Sequence, residues 1–166
     1  MDNLSRLVFS LLRIWLGYTW LTAAMEKLGN PVWTGAKAGA ATTGFFQTAI
    51  ANSGGPHPAV QGWYASFLQS VALPNARFFS YLIPVAEFLV GIALLFGVVT
   101  TFSALVGAFL NLNFMLSGSA STNPIMYTIA IIVALGGARA GYLGLDYFVL
   151  PWLRRRFGRR PGYGAT

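Results

Sequence analysis

The chain has 166 residues, 55% hydrophobic and only 9% charged, with a net charge of +7. A soluble domain has about a quarter of its residues charged, so this composition excludes one and points to a single integral membrane domain. With no cysteine and one histidine, His57, the chain excludes disulfides, thiol redox chemistry, iron–sulfur clusters and a bis-histidine haem of its own. One histidine and scattered carboxylates build no metal site either. The basic excess is a topology signal rather than a nucleic-acid footprint, because five of the eleven basic residues fall in one run, RRRFGRR, from Arg154 to Arg160.

The first apolar run, about Leu4 to Met25, is long enough to cross a bilayer. It is too long for the apolar core of a signal peptide, and no A-x-A site follows it. A long connection from Gly29 to Asn75 comes next. Within it, AGAATTGFFQTAIA and VQGWYASFLQSVAL read as short amphipathic helices separated by NSGGPHP. Phe45, Phe46, Ile50, Trp63, Phe67 and Leu68 supply their apolar faces, which would lie in the outer interface or cap the bundle, as a lid, a binding surface or a structural roof. The second span is read from about Arg77 to Val98, the third from Val99 to Leu116, and the fourth from Pro124 to Ala138. Asn123 would cap the last span, with Pro124 in its first turn. Its small-residue face, Tyr127, Ala130, Ala134 and Gly137, suits packing. Finally, ARAGYLGLDYFVLPWL would lie along the inner face, with Tyr147 and Trp152 in an aromatic belt.

The expected fold is therefore all-α: an integral membrane four-helix bundle with two short amphipathic helices in a long outer loop between spans 1 and 2. Residues 1–153 would form the membrane domain and 154–166 a basic cytoplasmic tail. Four spans return both termini to one side, and the arginines make that side the cytoplasm of a plasma (inner) membrane.

Arg13 sits well inside the first span. Arg6, Arg13, Trp20 and Lys27 are seven apart and share a face with Gly17 and Ala24. In the second span Arg77, Ser80, Pro84, Glu87 and Gly91 form a matching stripe. An unpaired arginine at a span centre costs about 2.5–3.5 kcal/mol on insertion scales, so an Arg13–Glu87 ion pair is expected. It would act either as a latch between helices or as a proton-handling site. Asn111 and Asn113 add polar groups to the third span, but they are two residues apart and only one can face the same pocket. At the outer end Lys27, Lys37 and Arg77, with the amides and hydroxyls of SGSASTN including Ser119 and Asn123, compose a candidate anion site.

The stretches RIWLGYTWLTAAMEKLGNP, IPVAEFLVGIALLFGVVT, NLNFMLSGSASTNP and GGARAGYLGLDYFVLPWL, in this order, resemble the DoxX/DoxD group of small four-span membrane proteins. The long outer insert and the SGSASTNP turn are more similar to the DoxD branch. That branch includes the large membrane subunit of thiosulfate:quinone oxidoreductase, which pairs with a small subunit. The resemblance implies oxidation of thiosulfate to tetrathionate with reduction of a membrane quinone. Thiosulfate, a dianion, would want the outer cations. A quinone entering from lipid could stack on Trp15, Tyr18 or Trp20, with Arg13 and Glu87 as hydrogen-bond and proton partners and an asparagine at a carbonyl. No residue type here carries electrons, so they would pass directly between bound substrates or through a partner's cofactor. Two other readings stand beside it. One is a non-catalytic subunit packed into a larger respiratory or photosynthetic membrane complex. The other is a small transporter or lipid-binding protein. Each implies membrane lipids, and the first two imply other membrane subunits, as partners.

Overall fold

The computed structural model describes residues 3–157; residues 1–2 and 158–166, and the side chains at 150, 153–155 and 157, lie outside the described residues. The helices are α1 (Asn3–Leu28), α2 (Ala40–Ala51), α3 (Gly62–Phe67), α4 (Ala76–Phe96), α5 (Thr100–Leu116), α6 (Asn123–Gly136) and α7 (Asp146–Phe157). A single π turn, Leu68–Ala72, extends α3, and a 3-10 turn, Gly137–Arg139, follows α6. No strand occurs among the described residues. Because α7 continues through Phe157, the expected boundary between residues 153 and 154 falls within a helix. The rest of the basic tail, from 158, lies outside the described residues.

Two helices, α1 and α4, are long and apolar enough to cross a membrane, and α5 and the α6 run are shorter apolar helices. α1 packs along α4 and touches α6, while α5 packs on α6 and on α4. Together they enclose Leu16, Trp20, Val90, Leu94, Ala104, Ala130 and Val133. The outward faces are as apolar as the interior: Leu11, Leu89, Phe102, Phe109 and Leu135 are all exposed. A helix that is apolar all round needs a nonpolar surrounding on its outer side as well.

The closest contact is between α1 and α4. A methyl group on Gly17 would sit 2.7 Å from the Leu95 nitrogen, and one on Gly91 would sit 2.7 Å from the Leu21 nitrogen. Two glycines thus let the backbones touch, which is how small residues serve helix pairs in lipid. The packing face of α6 differs from the expected one. Met126, Ala130, Val133 and Gly136 are its buried residues, one position away from the stripe of Tyr127, Ala134 and Gly137.

The connection after α1 folds as a helical roof. Phe46, Ala49, Val60, Tyr64, Leu68 and Ala72 form a second core beneath it. Trp63 is turned out instead, 64% exposed, because Tyr64 and Ala65 are the buried positions of this short helix. The roof is tied to the first turns of α4. The Thr42 hydroxyl donates to the Ala76 carbonyl at 2.7 Å and the Tyr81 hydroxyl to the Thr34 carbonyl at 3.0 Å. The Ser80 oxygen accepts from the Gly39 amide at 3.1 Å and donates to the Trp33 carbonyl.

Candidate functional site

The structure corrects the expected Arg13–Glu87 pair. Arg13 is fully buried, but its guanidinium donates to the carbonyls of Leu94, Leu95 (3.0 Å) and Leu143 (3.0 Å). Glu87 is also fully buried, and both its oxygens accept from Lys27 Nζ, at 2.8 and 2.7 Å. The reason lies in side-chain direction. Every Cα–Cβ bond tilts toward its own helix's N-terminus. α1 and α4 are antiparallel, so Arg13 leans toward the inner end while Glu87 leans toward the outer end. The carbonyls that Arg13 meets lie about 10 Å along α4 from Glu87, at about 1.5 Å per residue. Lys27, at the end of α1, leans back inward and meets Glu87 halfway.

The inner end is a polar knot, in which Arg13 Nε, Ser10 Oγ and Thr100 Oγ1 have no hydrogen-bond partner among the described residues. Two of the carbonyls that Arg13 holds, those of Leu94 and Leu95, belong to the last turn of α4, where intrahelical donors run out and the helix dipole is negative. Asp146, at the start of α7, accepts from the first amides of α5, Val99 N and Thr100 N, each at 2.7 Å. The Leu145 amide reaches the Phe96 carbonyl at 2.9 Å, and the Asp146 amide the Gly97 carbonyl at 2.8 Å. Gly97 sits where a side chain would meet both Arg13 and Gly144, in a left-handed conformation with φ 65°. Sequence reasoning missed Asp146. Its faint signal is a lone acid in GYLGLDYF, following two glycines that allow close backbone approach.

The outer half is arranged differently. Lys27 Nζ, besides Glu87, lies 5.5 Å from the Trp33 ring and 5.7 Å from the Phe114 ring. Trp20 is buried with its indole nitrogen over Gly107 of α5, without a hydrogen-bond partner among the described residues. One turn outward on α5, Asn111 is fully buried and neither atom of its amide has a partner there. Asn113 faces elsewhere: its Oδ1 accepts from the Tyr64 hydroxyl at 3.0 Å.

That hydrogen bond edges a cavity of about 200 Å³ between the roof, α4 and α5. Its walls are Phe45, Phe46, Phe67, Phe79, Ala86, Phe109 and Phe114, and its polar rim is Tyr64, Asn113 and Ser117. Burial raises the Tyr64 phenol above its ordinary range, while Ser117 beside it acts in the other direction. The cavity would hold a substituted six-membered ring or a stretch of alkyl chain, since a dry cavity of about 150 Å³ takes benzene. Phe114 forms part of the wall and also stands beside Lys27, so the cavity and the buried ion pair share one ring.

The other expected ligand residues separate. Trp15 and Tyr18 are 43% and 62% exposed on the outward face of α1 and do not line this cavity. Of the outer cations, Lys27 is drawn inward to Glu87, whereas Lys37 and Arg77 are exposed. Ser119 and Asn123 serve each other, the Asn123 amide donating to the Ser119 carbonyl at 3.0 Å. Thr122, not Asn123, occupies the position ahead of α6.

These features define a helical membrane protein with buried charges at two depths and an aromatic cavity under an outer roof. The chain belongs to the DoxX family, whose model matches residues 8–120. No curated protein and no solved structure matches it.

Proposed function

We propose that this protein is the membrane subunit of a quinone-linked oxidoreductase and that the aromatic cavity takes the quinone ring. The observation that carries the reading is the cavity itself: six phenylalanine side chains with a hydrogen-bonding rim of Tyr64, Asn113 and Ser117. A flat ring with carbonyl oxygens at its edge suits such a lining. The Tyr64 hydroxyl, which donates to Asn113 Oδ1, would swing that proton to a bound carbonyl, and the Lys27–Glu87 pair behind Phe114 is the nearest interior proton-exchanging group. Phe109 and Phe67, 63% and 38% exposed, mark a lateral entrance from lipid. In this reading α1, α4, α5 and α6 all span a plasma (inner) membrane, with both termini cytoplasmic and the roof outside. Thiosulfate is the proposed reductant, and the exposed Lys37 and Arg77 are the cations left to meet a dianion on the outer side.

A second reading, an accessory subunit of a larger redox complex, is favoured by one observation. The sequence has no cysteine and one histidine, so electrons need a partner's cofactor or direct contact between substrates. The transporter reading has less support, because Leu16, Leu94 and Ala104 are fully buried between the inner and outer polar groups.

The test is saturable binding of a short-chain quinone to the protein in lipid nanodiscs, followed by quinone reduction with thiosulfate, alone and in native membranes. Ala86→Phe, which fills the cavity, should abolish binding. Glu87→Gln should preserve binding and lower turnover wherever turnover is seen. Absence of saturable binding by wild type, or binding that survives Ala86→Phe, rejects the quinone cavity. Binding without thiosulfate-driven reduction in either preparation rejects thiosulfate and leaves the accessory reading.

A further inference from the structure

A larger groove of about 570 Å³ lies at the opposite end of the molecule, between the last turn of α4 and the segment leading into α7. It is not used by the reading above. Its walls include Phe96, Tyr142, Leu143, Tyr147 and Phe148. Phe96, Leu143 and Phe148 are 58%, 55% and 69% exposed. An open apolar groove of this kind needs a nonpolar occupant.

Its depth and its charge say which. α4 ends at Phe96, so the groove opens where the apolar helices stop, at the boundary between hydrocarbon and headgroups. The groove is edged by tyrosines, and Trp152 farther along α7 is 60% exposed, which fits that boundary. The Arg6 guanidinium lies 4.3 Å from the centre of the Tyr142 ring, fixing a positive charge on the groove's rim. Arg139, exposed, precedes Tyr142 by one turn, and Arg156, also exposed, follows in α7. Of the acidic residues among those described, Asp146 belongs to this end. Asp146 is 3% exposed and commits both oxygens to the α5 amides, so it does not neutralise the rim. Apolar walls with a cationic rim at headgroup depth match one chemistry: a hydrocarbon chain joined to a phosphate.

We propose that this groove binds an anionic phospholipid, its acyl chain along Phe96, Leu143 and Phe148 and its phosphate against Arg6 and Arg139. A free phosphate has nothing for the aromatic walls to hold, and a zwitterionic lipid loses most of the attraction, about 1 kcal/mol for each arginine near the surface. A protein partner would have to bring acids to the same depth, and this is the outcome that would leave lipid binding unselective.

The experiment is titration of the delipidated full chain in mild detergent with short-chain phosphatidylglycerol or phosphatidylcholine, read by native mass spectrometry and thermal stability. Phosphatidylglycerol should bind saturably and more tightly. Arg6→Gln with Arg139→Gln should weaken it about five-fold for each charge removed, down to the level of phosphatidylcholine, whose own binding should not change. Lys37→Gln with Arg77→Gln, at the other end, should have no effect. If the double arginine variant does not fold, Arg139→Gln alone and wild type at about 1 M salt, where the screening length falls to about 3 Å, carry the same test. Equal affinity for the two lipids overturns the proposal. So does a preference that survives both the arginine substitution and high salt, or displacement of the lipid by inorganic phosphate at equal concentration.

Discussion

Two cations of α1, the buried Arg13 and the half-buried Lys27, are held in different ways. Arg13 at the inner end is met by backbone carbonyls from two segments, and Asp146 beside that turn is met by backbone amides. Lys27 in the outer half is met by one side chain, Glu87, beside the Phe114 ring that also walls the aromatic cavity. Backbone partners are fixed once the helices pack, which suits the inner knot to holding the helices together. Side-chain partners can be replaced, protonated or moved, so the outer pair is the one that a ligand can perturb. The contrast separates a structural charge from a chemically available one inside one helix bundle.

The largest expected effect compares the two cations directly. Lys27→Met leaves Glu87 buried without its partner and should destabilise by about 3–5 kcal/mol. Lys27→Met with Glu87→Leu should recover most of that loss, because an apolar pair of similar size replaces a buried ion pair at little net cost. Arg13→Met should also lower stability by about 3 kcal/mol or more, since hydrogen bonds to a charged group contribute about 1.5–3 kcal/mol each. No second side-chain change can rescue it. Thermal unfolding in detergent measures all three, and a Glu87 change that rescued Arg13→Met would break the comparison.

Asp146→Ala comes next, at about 2–3 kcal/mol, from the loss of two charge-assisted bonds at the start of α5. It should leave the proposed quinone binding intact in whatever protein folds. Asn111→Leu should be nearly neutral or stabilising, because it removes a buried amide without partners among the described residues. A clear loss of stability would instead identify a polar guest that meets the Asn111 amide. The smallest effect belongs to Trp15→Leu and Tyr18→Leu on the outward face, within about 0.5 kcal/mol. Neither should alter the affinity for a ligand in the cavity.

Much of this was legible in the residues. Runs of apolar residues, the heptad stripe from Arg6 to Lys27, and Gly17 and Gly91 on facing stripes specify helices and the faces they bury. These are local properties, set by the 3.6-residue period and by the exclusion of unpaired polar groups from lipid. That Arg13 and Glu87 are both interior follows from the same stripes. Which group each one meets does not. That depends on the register of α1 against α4 and on the opposite tilt of side chains in antiparallel helices, which sends Arg13 to carbonyls and Glu87 to Lys27. Asp146 reaches the α5 amides from 46 residues away in sequence, through a turn that no periodicity describes. The aromatic cavity likewise needs α4, α5 and the roof together, so no single stretch announces it. The sequence by itself determined the helices, their buried faces and the presence of interior charge, because hydropathy is read residue by residue. Only the tertiary structure decided which charge became a fixed knot and which stood beside a cavity, because pairing is a property of the distances between helices.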